Sequence, residues 1–314
     1  MEPERFTIQS SRGDCEIQCY AWIPEGNIRA TVQISHGMLE HALRYSAFAE
    51  FLVSKHIAVY ANDHLGHGNT QSGTRGFFAH EDGDACLIED LFRLTRKIES
   101  RHPNVKHILF GHSMGSFVVR RYITRYGEYI DGVIISGTGR KKKSTLKIGR
   151  LLAKMCCKIK GPEGYSMMLH KLSVLSYDKK IEGTQSNRWL THIESEVDAY
   201  NNDPLVGFPF SNRAFLDMFN MMYDLETYKD FRNIPRSLPI LFVAGAGDPV
   251  GDFGKGVEEC HSVLLAMGLH PGIRIYHDSR HELFHDQEWR KVFEDLSIWI
   301  GGVIDNEGGL GCRY

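Results

Sequence analysis

The placing of short apolar runs constrains this chain most. Gln18–Ile23, Thr31–Ser35, Ile57–Ala61, His107–Phe110, Gly132–Ser136, Ile240–Ala244 and Ile273–Tyr276 are brief, apolar and rich in β-branched residues. Such runs mark strands buried on both faces of a sheet. Helical patterns lie between several of them. Ser116–Tyr126 is one; Asp286–Ile300 is another, with Trp289, Val292, Phe293, Leu296 and Trp299 on one face. This alternation predicts an α/β fold with a mostly parallel central sheet flanked by helices.

The alternation lapses once. From about Gly137 to Pro235 the pattern reads as helices and loops. At about 150 residues per domain, 314 residues make one large domain or two small ones. The expected division is a core of residues 1–136 and 236–314, with a helical cap over 137–235 inserted between two strands. The cap contains six of the ten methionines: Met155, Met167, Met168, Met218, Met221 and Met222. Methionine fills irregular apolar space, which fits either ordinary helix packing or a pliable acyl-chain pocket.

Gly111-His112-Ser113-Met114-Gly115 fits G-x-S-x-G, follows the HILF strand and opens a helix. The strand–turn–helix setting gives the five-residue match its meaning. A serine exposed on a sharp turn needs neighbours without side chains, and the helix start favours negative charge beside it. Its hydroxyl needs a base, and the base needs an orienting acid. The chain order Ser, acid, His is met after the cap. Asp248 lies in the loop past Ile240–Ala244 and is preferred over Asp252. Past Ile273–Tyr276 lie His277, His281 and His285; His281 is preferred, with His285 next.

A tetrahedral oxyanion needs two aimed donors. The backbone N–H of Met114 is one candidate. The other is that of Met38, in the loop His36-Gly37-Met38-Leu39-Glu40-His41 after an earlier strand. His36, His41, His64, His67 and His112 could suggest a metal. Glycine interrupts the Asp63–Gly68 loop, however, and no cysteine or acid completes a ligand set, so structural loop histidines are expected. No metal or cofactor is expected.

Composition narrows the function classes. Lys+Arg total 37 and Asp+Glu 39, a formal net charge of -2, without the basic excess of a nucleic-acid binder. No run approaches about 18 apolar residues, so no transmembrane segment is expected. The start, Met1–Phe6, does not read as a secretory signal. Seven cysteines without a CxxC pair suggest reduced thiols and a cytoplasmic protein. Gly311-Cys312-Arg313-Tyr314 is one residue short of a prenylation motif.

Taken together, HGMLEH (36–41) with Arg44-Tyr45, DHLGHG (63–68), GHSMG (111–115), GDPV (247–250) and HEL (281–283) resemble one family. It is the α/β-hydrolase group of monoglyceride lipases, lysophospholipases and serine aminopeptidase-like hydrolases. The resemblance spans nearly the whole chain. It implies a Ser113–Asp248–His281 triad, an oxyanion hole at Met38 and Met114, and a mobile cap over an acyl pocket. Two residues depart from the family pattern: Leu39 stands where glycine is common, and Thr70 where serine is common.

The expected activity is therefore carboxylic-ester hydrolysis through an acyl-enzyme, on a monoacylglycerol, a lysophospholipid or a similar small acyl ester. An aminopeptidase or amidase on the same triad would need acids to hold a free amine; Glu194, Glu196 and Asp198 are the available cluster. A non-catalytic small-ligand binder usually loses a triad member, and a serine at the elbow disfavours an aspartate-nucleophile hydrolase. One local feature bears on partners. Residues 140–160 contain nine Lys/Arg and no acid, leaving -11 on the rest of the chain. Lys147, Arg150, Lys154 and Lys158 fall on one helical side, and Ile148, Leu152, Met155, Cys156 and Ile159 on another. Such a segment either packs on the core with a solvated charged face or contacts anionic membrane or micelle surfaces.

Overall fold

The computed structural model describes residues 1–70 and 72–305; the motif ending in Cys312 lies outside the described residues. In chain order the elements are β1 (Glu4–Gln9), β2 (Glu16–Trp22), β3 (Ala30–Ser35), α1 (Ser46–Val53), β4 (Ile57–Asn62), α2 (Gly83–Arg101), β5 (Lys106–His112), α3 (Met114–Tyr126) and β6 (Gly132–Ser136). Then follow α4 (Lys143–Lys160), α5 (Met167–Ser173), α6 (Leu175–Asp178), α7 (Glu194–Asn202), α8 (Asn212–Leu225), β7 (Ile240–Gly245), α9 (Lys255–Ala266), β8 (Gly272–Tyr276) and α10 (Trp289–Ile304).

The eight strands form one sheet in the order β1-β2-β4-β3-β5-β6-β7-β8. β1–β2 and β2–β4 are antiparallel; every other pair is parallel. The predicted α/β architecture is therefore present, with an antiparallel margin at one edge. The apolar runs read as they do because successive residues enter opposite layers. Leu109, Val133, Ile135 and Phe242 pack with Leu91 of α2 and Val118 of α3. Ile108, Phe110, Ile134 and Val243 pack with Phe48 of α1 and Leu296 and Ile300 of α10.

The differences from the sequence reading are physical. β1 alternates exposed and half-buried residues at a sheet edge, so it carries no apolar run. α10 begins at Trp289 rather than Asp286, because a 3-10 turn occupies Leu283–His285. Its buried face is Val292, Phe293, Leu296, Trp299, Ile300 and Val303, with Trp289 half-buried. Between β6 and β7 the described residues add no strand to the sheet; α4 to α8 occupy this stretch. α4 lies along α8, with Gly149 set against the Phe219 ring.

Leu296 is fully buried between α10 and the sheet. Leu296→Ala should cost about 2–5 kcal/mol, read as a lower urea midpoint with an unchanged slope.

Candidate active site

β5 delivers Ser113 at its carboxyl end, and α3 begins at the next residue. Ser113 has φ 52° and ψ -115°, a conformation costly for a residue with a side chain. Its surroundings leave little freedom. A Cβ at Gly115 would lie 2.0 Å from the Ser35 carbonyl oxygen, and one at Gly111 2.5 Å from the Gly115 carbonyl oxygen. α3 can thus approach β3 only with glycine at 115, and β5 only with glycine at 111. Ser113 donates its N–H to the Ser136 carbonyl at 3.0 Å, and the side chain remains partly exposed in a cavity.

The two parallel strands beyond β6 deliver the other pair. Asp248 follows β7 and is fully buried, with Oδ1 accepting the Val250 N–H at 2.8 Å. His281 follows β8 and is also buried. Its Nδ1 lies 2.9 Å from Asp248 Oδ2. Nε2 of His281 has no hydrogen-bond partner among the described residues, so the Ser113–His281 hydrogen bond is not made here. Both residues nevertheless line the same cavity. The rivals are elsewhere. Asp252 is exposed, His277 is exposed, and His285 pairs with Glu196 of α7 at 3.2 Å.

Burial opposes charge on His281, but the Asp248 carboxylate beside it prevails and raises its pKa above the ordinary 6.5. His112, with its ring centroid 4.7 Å from that of His281, goes the other way. Burial and the neighbouring His281 hold it near 3, so it stays neutral.

Met38 and Met114 line the cavity beside Ser113. The loop bearing Met38 is held by its own histidines. His64 N–H donates to His36 Nε2 at 3.0 Å, and Leu39 N–H to His67 Nε2 at 3.2 Å. Burial lowers the His36 pKa well below its ordinary value and pushes His67 to about 4. These neutral rings act as acceptors that shape the loop. Leu39 adopts φ 62°, the left-handed region that favours glycine. That is where the family commonly has glycine. The strained residue is tied down by Tyr200 and Gly207, which donate to its carbonyl at 3.1 and 3.2 Å, and its side chain is buried.

One cluster was not singled out for function by the sequence reading. Glu40 accepts from Gly37 N–H and, at 2.8 Å, from Tyr45 OH. Arg44 joins Glu40 at 3.3 Å to Glu282, next to His281, and stacks over the Tyr200 ring at 4.8 Å. The Met38 and His281 loops are thereby locked together. Arg44-Tyr45 was visible only as part of a motif; its partner 238 residues away was not.

The cavity has a volume of about 520 Å³. One wall is apolar: Leu146, Leu152, Leu169, Phe215, Met218 and Met222. Of the six cap methionines, only Met218 and Met222 line it. Met221 is buried; Met155, Met167 and Met168 are exposed. Glu194, Glu196 and Asp198 do not line it.

Comparison with known proteins agrees with this geometry. Residues 26–288 match the family described as serine aminopeptidase, S33. The chain is 27% identical to the monoglyceride lipase of Mus musculus, over 94% of this chain and 89% of that protein. It is 26% identical to a monoacylglycerol lipase of Mycolicibacterium smegmatis, over 92% and 94% of the two chains. A carboxyl esterase from Bacillus coagulans, solved in complex with glycerol, superposes with a TM-score of 0.89 at 28% identity, over 97% of this chain and 99% of that one.

A proton NMR titration should give His281 a midpoint above 6.5. In Asp248→Asn the raising charge is gone and burial remains, so the midpoint should fall below that of the parent.

Proposed function

Because the chain belongs to the serine aminopeptidase S33 family, within the α/β-hydrolases, we propose that it is a serine carboxylic-ester hydrolase acting on monoacyl lipids. One observation carries the reading. A strained, accessible serine opens into an apolar cavity that the buried His281–Asp248 pair also lines. Monoglyceride and monoacylglycerol lipases among the relatives support the choice of substrate.

Ser113 attacks the ester carbonyl while His281 takes its proton through Nε2. Asp248 holds Nδ1 and stabilises the imidazolium. The N–H groups of Met38 and Met114 receive the oxyanion. His281 then protonates the leaving alcohol, and water activated by the same ring releases the acid. The acyl chain lies against Leu152, Leu169, Phe215 and Met218. Residues 137–235 act as a cap that admits it. An amidase acting on a free amine finds no unpaired carboxylate in the cavity wall among the described residues: Glu40 and Glu282 are both held by Arg44. A non-catalytic binder is disfavoured because all three triad residues are kept.

The cap also supports contact with anionic membrane or micelle surfaces. α4 buries Leu146 and Ala153 but exposes Ile148 (59%), Leu151 (60%), Met155 (49%) and Ile159 (77%). Lys147, Lys154 and Lys158 are exposed among them. Apolar side chains flanked by lysines suit an interface of acyl chains and anionic headgroups. No described helix is long and apolar enough to cross a membrane. The six described cysteines are free thiols, which fits a cytoplasmic setting.

p-Nitrophenyl esters of increasing chain length should be cleaved faster than an aminoacyl-anilide. Ser113→Ala should lose about 10⁴-fold or more in kcat. Surviving activity in that variant would defeat the mechanism, and faster anilide turnover would favour the amidase. The acid limb of kcat/KM should have a midpoint above 6.5, activity falling as His281 gains its proton. Vesicle sedimentation checks the cap: wild type should bind anionic vesicles more than neutral ones, and Ile148→Ser/Ile159→Ser should bind less.

A further inference from the structure

Two lysines in the cavity wall have no part in that chemistry. Lys141 lies between β6 and α4, and Lys180 lies just beyond α6; both line the cavity. Their Nζ atoms approach one ring, that of Tyr177, at 5.7 and 5.8 Å from its centroid. Lys180 also donates to the Pro249 carbonyl at 3.3 Å. Among the described residues neither ammonium forms an ion pair. The carboxylates in the same wall, Glu40 and Glu282, are matched by Arg44. The unmatched charge in this wall is positive.

That arrangement is unfavourable as it stands. Burial, and then the like charge of Lys180, push the Lys141 pKa down; Asp252 and Asp248 pull the other way without making contact. A dianion between the two ammonium groups would remove both penalties. The place also matters. The His281 ring meets Trp189 at 4.9 Å with a tilt of 44°, and Trp189 meets Tyr177 at 5.1 Å. The lysines are therefore joined through two ring contacts to His281, the residue that protonates the leaving alcohol in the proposed reaction. The acyl wall of Leu152, Leu169, Phe215 and Met218 holds no charge.

We propose that Lys141 and Lys180 form a subsite for an anionic headgroup, so that the chain accepts acyl esters whose alcohol carries a phosphate monoester. The substrate class rests on the ester-hydrolase reading; the anion site itself does not. Two ammonium groups match a phosphate dianion in charge, and Tyr177 and Trp189 line the cavity between them and His281.

The test compares 1-hexanoyl glycerol with 1-hexanoyl glycerol 3-phosphate, both as monomers so that no charged surface intervenes. The ratio of kcat/KM, phosphate over neutral, is read for wild type, Lys141→Gln/Lys180→Gln and the surface control Lys154→Gln/Lys158→Gln. The subsite predicts a ratio about tenfold lower in the first variant, through KM, and little changed in the control. An unchanged ratio in the first variant, or an equal fall in the control, overturns it. Calorimetry with free glycerol 3-phosphate separates this site from the hydrolytic reading. Binding to Ser113→Ala, lost on adding the two Gln substitutions, supports the site even if no ester is cleaved. No binding to Ser113→Ala overturns it, whatever the esterase activity.

Discussion

The buried guanidinium of Arg44 is the contact on which the geometry of the site depends. It joins Glu40, whose carboxylate also holds the Gly37 N–H and the Tyr45 hydroxyl, to Glu282 beside His281. One cation thus ties the Met38 loop after β3, at a set separation, to the His281 loop after β8. These strands are not neighbours in the sheet, so hydrogen bonding between strands cannot set that distance. Removing one partner of such a pair leaves an uncompensated buried charge, at about 3–5 kcal/mol. The Arg44 face also carries Tyr200 of α7, whose hydroxyl holds the strained Leu39 carbonyl. Residues before β4 and a helix between β6 and β7 thus meet on the loop that carries Met38.

Strain at Ser113 and Leu39 has a common logic. Both residues hold positive φ and line the same cavity, and both are over-determined by neighbours. At Ser113 the determinant is the absence of side chains: Gly115 lets α3 press against β3, and Gly111 lets it press against β5. At Leu39 it is a set of hydrogen bonds from His67, Tyr200 and Gly207, helped by burial of the side chain. A glycine there would relax the backbone and forfeit that burial. The departure from the family pattern is therefore compensated locally, in the loop and in α7.

The sheet was readable because its strands are buried on both faces and lie just before their functional loops. The candidates Ser113, Asp248 and His281 were picked by that same signal, each lying in the loop that follows the end of β5, β7 or β8. β1 was not readable: its side chains at the sheet edge are exposed or half-buried. The first turn of α10 was misread because a helical pattern does not distinguish a 3-10 turn from the helix it precedes. The Arg44–Glu282 contact and the Lys141–Lys180 pair were beyond reach for another reason. Each joins residues far apart in the chain, at positions where charge alone reads as solvated surface. The apolar stripe of α4 does fall on a helix, but Ile148, Met155 and Ile159 within it are exposed, and the residues α4 buries are Leu146 and Ala153.

The basic segment 140–160 divides into three parts with different physics. Arg140 is structural: it pairs with Glu226 at 2.7 Å and reaches Glu259 at 3.6 Å, anchoring the first cap residues to the end of α8. Lys141 turns into the cavity beside Tyr177. Most of the remaining cations stay on the surface of α4, where their field is screened within about 8 Å at physiological salt. A surface field acts on any anionic aggregate and concentrates whatever it contains. A half-buried ammonium acts only on the molecule that has already entered. The same run of charge can thus set where the protein meets its substrate and, separately, which headgroup it holds once there. Neutralising the surface lysines of α4 should alter the first without the second, because Lys141 is half-buried in the cavity wall, away from the exposed face of α4.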